Sequence, residues 1–440
     1  MSPVYSRETH FPKFDPSFVT ERDRDCRMGI KGLFPFISDA APLAIKETKL
    51  EAMTGLTIAI DASMCLYQFL VAVRQGEAQS NLSNASGEVT SHIQGFLSRT
   101  LKLLEAGIKP VYVFDGKPPE LKLQTLAGRK EKKDEADSEL ARALASGDPE
   151  EIRKAAHRTA RATPQMNADC QELLRLLGCP VILAPSEAEA TCAALNKSGH
   201  VHAVATEDMD ALTFGAVTML KNLFDTESSR TQTKRPVFEI KLEALLAQLD
   251  VSMDVFIDFC ILCGCDYCGT IRGVGPTTAF KLLKTHGSIE AAAASLGAAK
   301  AVDLPPADQW RIDEVRLTFK QPEVVDPAAV TLSWGTPDYA GLATFLVGRH
   351  SFNEARVAKV VERLKALSRS GQQMRIDSFF KAREAKTVPS SAIFDAFAKK
   401  SKAGASGSSS SGGGAAGKRK APAVSISGKA SAAAPSKKQK

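Results

Sequence analysis

Short apolar runs alternate with longer amphipathic or charged stretches along most of this chain. The runs are rich in Val, Ile and other strand-forming residues, which is typical of buried β-strands. They occupy residues 57–60, 111–114, 180–183, 202–206, 217–221 and 236–240. Because helical stretches separate them, the pattern predicts an α/β fold with a mostly parallel central sheet and helices on both faces.

Two helical stretches differ in the surface that they present. Residues 92–106 are amphipathic and end at Gly107, as expected of a helix that packs on a sheet. Residues 120–160 are charged, rich in Ala and poor in aliphatic residues, so we expect a helix that projects from the body. Lys122 and Arg129 are two helical turns apart and share one face of it. The alternative is an ordinary solvated helix.

Composition adds one informative asymmetry. The chain has 440 residues, 44% hydrophobic and 24% charged, which suits one large globular domain with appendages or two domains. No apolar run approaches the roughly 18 residues that span a bilayer. The net charge of +7 is uneven, because residues 403–440 carry no acid and hold basic clusters at 418–420 and at the end. Such clusters indicate nuclear import or nucleic-acid contact, or simply a solvated linker.

Acidic side chains follow several of the predicted strands. A carboxylate at the carboxyl end of a parallel strand points into the crevice where open α/β sheets bind ligands. Several carboxylates there would repel one another unless divalent cations with a preference for oxygen lay between them. The pattern therefore predicts a two-metal site for phosphodiester cleavage. The candidate ligands are Asp61, Asp115, Glu187, Glu189, Asp208, Asp210 and Asp266.

Each of these acids also has a purely structural interpretation. Asp61 could cap the helix that follows it, and Asp115 before Gly-Lys-Pro-Pro could belong to a turn. Ser186 with Glu189 fits a capping box, while Asp208 and Asp210 could occupy the first turn of a helix. We favour the metal site because all the acidic clusters fall at strand or helix ends.

The nine cysteines include a C-x-x-C-x-C-x-x-C cluster at 260–268. This spacing allows a zinc or iron–sulfur site. We favour packing instead, because the segment reads as the end of a buried helix and no second Cys/His cluster accompanies it.

Scattered cysteines without a signal peptide favour a reducing compartment. Residues 1–27 fit neither a secretory signal nor a transit peptide.

Two further motifs point to binding. Gly273 and Gly275, followed by Pro276, allow a close backbone approach at a helix start whose N–H groups can bind a phosphate without reading sequence. A helical hairpin on the duplex backbone is therefore predicted, with a hairpin used only for packing as the alternative. Near the end, Gln373-Met-Arg-Ile376-Asp-Ser-Phe379-Phe380 places two aromatic residues in a hydrophilic region. A partner would bury them, unless they pack back onto the domain.

With these motifs in view, the chain resembles the eukaryotic flap endonucleases, a family of structure-specific 5′ nucleases. The resemblance runs from Met28 to about Lys381. It rests on MGIKGLFPFI, AIDASMCLYQFLVAVRQG, GIKPVYVFDGKPPELK, APSEAEATCAAL, ATEDMDALTFG and DYCGTIRGVGP. The family implies a mostly parallel sheet, a helical arch over the active site and a helix–two-turn–helix element that binds DNA.

The resemblance also implies roles for individual residues. The seven acids match the family's ligands for two Mg²⁺ ions, and Lys122 and Arg129 match the arch residues that contact the scissile phosphate. Positions that match DNA contacts are Tyr67, Arg74, Arg99, Glu187, Gly264, Asp266, Gly273 and Gly275. Positions that match the box docking on the sliding clamp, proliferating cell nuclear antigen, are Gln373, Ile376, Phe379 and Phe380.

Two departures from the family pattern stand out. The family usually has Leu-Gly-Ser-Asp-Tyr where this chain has Cys263-Gly-Cys-Asp-Tyr267, which leaves sensitivity to oxidation open. After Gly-x-Gly-Pro the family often has basic residues, whereas this chain has Thr277 and Thr278. Lys281 and Lys284, one turn later, are candidates to take over the phosphate contact.

The function implied is a structure-specific 5′ flap endonuclease with 5′→3′ exonuclease activity, which cuts branched DNA at the junction of single strand and duplex. The implied setting is Okazaki-fragment maturation and long-patch base-excision repair in the nucleus, by a monomer bound up to three per trimeric clamp. A mitochondrial share is left open. The alternatives are a related 5′→3′ exonuclease or junction nuclease, a non-catalytic DNA scaffold on the clamp, and a metal-dependent phosphatase.

The expected organisation follows the same resemblance. We expect a disordered extension (1–27), an N-terminal nuclease region (28–133), an arch or connector (134–150) and an internal nuclease region with the helix–two-turn–helix (151–286). A C-terminal helical part (287–371), the clamp-binding box (372–380) and a disordered basic tail (381–440) complete the chain. Since Met28-Gly29 resembles the family's own beginning, we expect the active form to start at or near Gly29. The alternative is a harmless exposed arm.

Overall fold

The structure is a computed structural model that describes most of the chain between Gly29 and Ser370. The described residues are 29–75, 90–148, 150–152, 155, 159, 162–223, 236–298, 304–306 and 309–370. The extension, the clamp-binding box and the basic tail predicted from the sequence lie outside these residues. Among the described helices, none combines the length and the apolar character that crossing a bilayer requires.

The described elements alternate between strands and helices along the chain. The strands are β1 (Ile45–Thr48), β2 (Thr57–Asp61), β3 (Lys109–Phe114), β4 (Val181–Leu183), β5 (Ala203–Ala205), β6 (Thr218–Lys221) and β7 (Val237–Lys241). The helices up to residue 213 are α1 (Leu33–Ala40), α2 (Ala62–Gln75), α3 (Ser91–Glu105), α4 (Leu123–Ser146), α5 (Pro164–Leu176), α6 (Ala188–Lys197) and α7 (Asp210–Thr213). The later helices are α8 (Leu242–Leu249), α9 (Met253–Cys263), α10 (Pro276–His286), α11 (Ile289–Ala298), α12 (Ile312–Lys320), α13 (Tyr339–Ala343), which continues into a π-helical stretch (Thr344–Arg349), and α14 (Glu354–Ser370).

The strands form one sheet in the order β1-β7-β6-β5-β2-β3-β4. The pairings from β6 to β4 are all parallel, whereas β7 runs antiparallel to both β6 and β1. The predicted mostly parallel sheet is therefore confirmed, and the six predicted runs all contain a strand. β1 was not predicted, because within this short edge strand only Ile45 is buried and no apolar alternation marks it.

Side chains of alternate residues enter two cores, one on each face of the sheet. Ala59 of β2 faces the core formed with α1, α6, α8, α9 and α10, while Ile58 and Ile60 face the core formed with α2, α3 and α5. This alternation follows from the two-residue period of a strand. Helices thus cover both faces, as predicted, and the carboxyl ends of the parallel strands emerge between the two layers.

Helix α4 differs from the helices that pack on the sheet. Within this fully described helix, only Ala136 and Ala143 are buried. The remaining charged and polar residues are exposed or half-exposed, as the composition of residues 120–160 predicts. A short 3₁₀ turn, Glu120–Lys122, precedes the helix and brings it to the sheet edge described next.

Candidate active site

Four neighbouring parallel strands deliver acidic residues to one edge of the sheet. Asp61 is the last residue of β2 and is paired with Val113, so that Asp115 emerges just beyond it at the end of β3. Glu187 and Glu189 follow β4, and Asp208 and Asp210 follow β5. Asp266 enters from the turn after α9. The structure therefore brings all seven acids predicted from the sequence to the same edge.

The tightest group within this edge consists of Glu189, Asp208 and Asp210. One carboxylate oxygen of each lies within 4.8 Å of the others, and all three residues are buried. The backbone N–H of Asp210 donates a 3.0 Å hydrogen bond to Asp208 Oδ1. Among the described residues, no group donates a hydrogen bond to the buried Asp210 Oδ1. A buried carboxylate oxygen without a donor is suited to a cation.

The electrostatics of the edge also favour a bound cation. Burial raises the pKa of Asp61, Glu189 and Asp210 well above the usual range, and repulsion from neighbouring carboxylates raises it further. The pKa of Glu187 and that of Asp208 are also raised, chiefly by burial. The cluster therefore resists carrying its full negative charge by itself, and a divalent ion would relieve that repulsion.

Basic side chains at the start of α4 lie over the same edge. Lys122 Nζ is 2.6 Å from Glu187 Oε2 and 3.6 Å from Asp266 Oδ2. Arg129 Nη2 is 2.5 Å from Asp266 Oδ1. Burial disfavours the ammonium of Lys122, but the attraction of Glu189 and Glu187 outweighs it and raises its pKa. Lys122, in the 3₁₀ turn before α4, and Arg129, within α4, thus both contact Asp266.

Two of the acids also stabilise helix starts. Asp61 Oδ1 accepts the N–H of Met64 at 2.9 Å, so its capping role and its place in the cluster coexist. Asp115 Oδ1 accepts the N–H of Ala188 at 2.8 Å, at the first residue of α6. The capping box between Ser186 and Glu189 is wrong, because Glu187 is the N-cap residue and no side chain of the local segment closes the helix.

Gly29 brings the backbone of the early chain directly to the cluster. Its φ is +64°, and a Cβ added there would lie 1.7 Å from Asp208 Oδ1. Only glycine adopts this conformation at low cost and leaves room for the carboxylate.

The residues predicted to contact DNA differ in their exposure and in their neighbours. Tyr67 is 36% exposed on α2, which leaves its ring available for stacking. Arg99 lies with its guanidinium carbon 4.1 Å from the ring centroid of Phe69. Arg74 belongs to α2, but its side chain lies outside what the structure describes.

The helical hairpin formed by α9 and α10 also matches its prediction in part. Pro276 is the first residue of α10, and a Cβ at Gly273 or Gly275 would meet open space. Gly264, with φ +101°, begins the turn after α9. Lys284 Nζ donates to the backbone oxygen of Asp250 at 2.6 Å, and both candidate lysines, Lys281 and Lys284, are exposed.

Some residues that support the site were missed by the sequence analysis. Thr125 Oγ1 donates to the backbone oxygen of Asp266 at 2.8 Å, and Ser63 Oγ accepts the N–H of Asp115 at 3.1 Å. The ring of Tyr267 is buried, with Lys122 Nζ 5.8 Å from its centroid. The spacing of Thr125, one turn after Lys122 and one before Arg129, was the only signal that could have identified it.

The cysteine cluster behaves as a packing element. Cys260, Cys263 and Cys265 are buried and Cys268 is half-buried. Among the described residues, no group of cysteines or histidines has the geometry of a metal site. Cys265 Sγ and Cys268 Sγ are 3.6 Å apart.

A parallel sheet with a buried acidic edge and a basic helix beside it defines the class of metal-dependent enzymes that hydrolyse phosphodiesters. Two family models match the chain: the XPG N-terminal domain over residues 28–136 and the XPG I-region over residues 178–266. Flap endonuclease 1 of Glycine max is 50% identical over 363 residues, which cover 82% of this chain and 93% of that protein. The chain belongs to the flap endonuclease 1 family.

Solved structures agree with this membership. Flap endonuclease-1 from Methanococcus jannaschii superposes with a TM-score of 0.56 at 35% identity, over 75% of this chain and 98% of that one. The catalytic core of Rad2 in complex with DNA substrate gives a TM-score of 0.56 at 26% identity, over 76% of this chain and 99% of that one.

Proposed function

We propose that this protein is a structure-specific 5′ flap endonuclease with 5′→3′ exonuclease activity, acting on branched DNA at the junction of single strand and duplex. The observation that carries the proposal is the buried group of Glu189, Asp208 and Asp210, in which Asp210 Oδ1 accepts no hydrogen bond from the described residues. Membership of the flap endonuclease 1 family and the likeness to a DNA-bound Rad2 core support the substrate class.

The donor set of the site fits two Mg²⁺ ions. All candidate ligands are carboxylate oxygens, which hard divalent cations prefer. Those that would hold the ions are Asp61, Asp115, Glu187, Glu189, Asp208, Asp210 and Asp266. When bound, Mg²⁺ supplies Lewis acidity that activates water as the nucleophile and stabilises negative charge on the scissile phosphate.

The basic residues of the site act on the same phosphate. Lys122 and Arg129 bring positive charge to the acidic edge, and both would exchange their carboxylate partners for the phosphate as DNA enters. Thr125 holds the base of α4 against the turn of Asp266, so that these cations stay over the site. The chain's own groups thus bind and orient the phosphate and neutralise charge as it develops.

Duplex binding would use the hairpin of α9 and α10. Gly273 and Gly275 let a phosphate approach the start of α10, where N–H groups are exposed. Such contacts carry no sequence information, so binding depends on DNA shape and falls with salt. Tyr67, which is 36% exposed, would stack on a base near the junction. Arg74 and Arg99 match DNA-contacting positions of the family and would bind the DNA there.

The cellular role follows from the same family membership. We place the enzyme in Okazaki-fragment maturation and long-patch base-excision repair in the nucleus, where basic clusters such as Lys418-Arg419-Lys420 suit nuclear import. Gln373, Ile376, Phe379 and Phe380 would dock on the sliding clamp, with up to three monomers on a trimeric clamp. These residues lie outside the described part of the chain, and the adjacent Phe pair supports their role.

The test uses the full chain with Mg²⁺ and two labelled DNA duplexes of the same sequence. One carries a 5′ single-stranded flap and the other has only a nick at the same position. We expect a product cut at the junction from the flap substrate, much slower removal of single nucleotides from the nick, and no cleavage after chelation. Equal cleavage of both duplexes, or none of either, would contradict the proposal.

A further inference from the structure

Two cysteine thiols meet on the turn that carries Asp266. Cys265 Sγ lies 3.6 Å from Cys268 Sγ, and only Asp266 and Tyr267 separate them in sequence. Cys265 is buried, whereas Cys268 is half-buried and can be reached from solvent. We propose that these two cysteines form a disulfide when a hydroperoxide oxidises them, and that this bond reversibly switches the active site off.

The pair is close enough to react without unfolding the turn. A disulfide needs about 2.05 Å between sulfurs, so the two must approach by roughly 1.5 Å. Rotation of the two side chains supplies part of this approach, and a small shift of the intervening backbone supplies the rest. The family pattern has Ser in place of Cys265, so the pair distinguishes this chain from that pattern.

The turn is anchored at Tyr267 and just beyond Cys268. The ring of Tyr267 is buried against Phe319, with centroids 5.2 Å apart, and the N–H of Gly269 donates to the backbone oxygen of Gln309 at 2.8 Å. On the other side, Gly264 at φ +101° directly follows α9. Because its buried ring anchors Tyr267, a bond between Cys265 and Cys268 would displace mainly Asp266, the other residue between them.

Asp266 is where such a shift would matter. Its carboxylate contacts Arg129 and Lys122, and its backbone oxygen accepts the hydroxyl of Thr125 at 2.8 Å. A misplacement of about 1 Å at a catalytic constellation can lower a rate roughly a hundredfold. The disulfide would thus reduce cleavage by displacing Asp266 and the basic residues that it holds.

The chemistry needs one hydroperoxide for each disulfide. The sulfur of Cys268 attacks a peroxide oxygen; an S–O bond forms, the O–O bond breaks, and the thiol proton leaves with the other oxygen as water or alcohol. The sulfur of Cys265 then attacks that of Cys268; the S–S bond forms, the S–O bond breaks, and water leaves with the proton of Cys265. Two thiols lose two electrons and the peroxide gains them.

The experiment measures the bond and the activity separately. The full chain is treated with hydrogen peroxide, denatured with a maleimide to trap remaining thiols, and digested. We expect Cys265 and Cys268 to escape labelling and to be joined with the loss of two hydrogens, while Cys260 and Cys263 in the same peptide are labelled. Cleavage of flap DNA should fall about tenfold or more and return after dithiothreitol.

Matched variants separate this pair from other cysteines. Cys265→Ser should keep its cleavage rate under peroxide. Cys268→Ser should do the same, and it replaces the first variant in the test if that one does not fold. Cys263→Ser, a buried neighbour, should stay as sensitive as wild type. A fully labelled wild-type peptide, a disulfide without loss of cleavage, or equal inactivation of Cys265→Ser would overturn the proposal. Because activity here rests on the proposed function, a reduced wild type that cuts no flap DNA refutes that function, while the peptide map still decides the disulfide.

Discussion

Lys122 Nζ lies 2.6 Å from Glu187 Oε2, although 65 residues separate the two along the chain. The lysine side chain is only 14% exposed, and Asp266 lies on its other side. An ion pair this enclosed is screened less than a surface pair. It therefore links the base of α4 to the acidic edge, and places a positive charge where a phosphate would enter.

Replacing Lys122 by Met should lower single-turnover cleavage of flap DNA about 10²- to 10³-fold, because it removes one preorganised charge from the phosphate site while keeping the aliphatic length. The dissociation constant for flap DNA should change little. Lys130→Met, at an exposed position of the same helix, serves as the control. A Lys122→Met rate within about threefold of wild type would contradict the role given to this residue.

Asp210→Asn should abolish cleavage and leave flap-DNA binding largely intact, because the change removes a ligand charge from a site away from the duplex grip. In chelator the variant should melt above wild type. Burial and the neighbouring Asp208 raise the pKa of Asp210, so its charged form disfavours the fold and a neutral isostere does not. Asp39→Asn, on an exposed position, is the control. Retained cleavage in Mg²⁺ would remove Asp210 from the ligand set.

Gly29→Ala should impair cleavage at least about tenfold, because the new Cβ pushes on Asp208 Oδ1 and moves a candidate ligand. It also places a side chain at φ +64°, which costs roughly 1–2 kcal/mol. Gly199→Ala isolates that conformational cost, because Gly199 has φ +78° and open space around it. If both variants are destabilised by the same amount and neither cleaves DNA more slowly, the close approach of Gly29 to Asp208 does not matter for cleavage.

Thr125→Val should slow cleavage about threefold to tenfold, the range expected for one hydrogen bond of roughly 0.5–1.5 kcal/mol to the backbone of Asp266. Thr125→Ser keeps the hydroxyl and should restore most of the rate. The effect should appear in the single-turnover rate rather than in DNA affinity, because the hydroxyl of Thr125 contacts the backbone of Asp266 and positions α4. Equal rates for the Val and Ser variants would show that packing, and not the hydrogen bond, determines the effect.

His92 should make stability depend on pH. Burial lowers its pKa from 6.5 to about 4, despite Asp169 at 3.8 Å from Nε2. The unfolded chain therefore binds a proton on His92 more readily than the folded chain does. The contribution of neutral His92 to the free energy of unfolding is present above pH 6.5 and is lost as the pH falls toward 4. Each pH unit in that window removes up to about 1.4 kcal/mol. Urea unfolding at several pH values should show a steeper loss for wild type than for His92→Leu, whereas His286→Gln should follow wild type. Parallel curves for wild type and His92→Leu would contradict this.

Most of the fold could be predicted from the sequence, because the hydrophobic periodicity of a strand or a helix is a local property. Ile58 and Ile60 on one face and Ala59 on the other gave β2 a readable pattern. β1 carries only Ile45 as a buried residue, so nothing local distinguished it from a loop. The antiparallel pairing of β7 with β1 likewise joins segments about 190 residues apart, and a local sequence pattern does not indicate such a pairing.

The acidic edge was predictable for a related reason. Asp61 and Asp115 end apolar runs, and the ends of parallel strands meet at one edge. The supporting hydrogen bonds were not predictable, because Thr125 reaches Asp266 across 141 residues and Asp115 reaches Ala188 across 73. Their partners are chosen by the tertiary arrangement, and no spacing in the sequence encodes it.

The pairing of β1 with β7 has a consequence for the order in which the molecule can assemble during synthesis. The strands β2, β3 and β4 are neighbours in the sheet and are complete once residue 183 has been made, and β5, β6 and β7 follow between residues 203 and 241. β1 is made before all of them, yet among the described strands it pairs only with the last one, β7. A growing chain therefore holds residues 45–48 without a partner strand until Lys241 has left the ribosome. Gly29, which lies 16 residues before β1, can be fixed beside Asp208 by this strand only after that point.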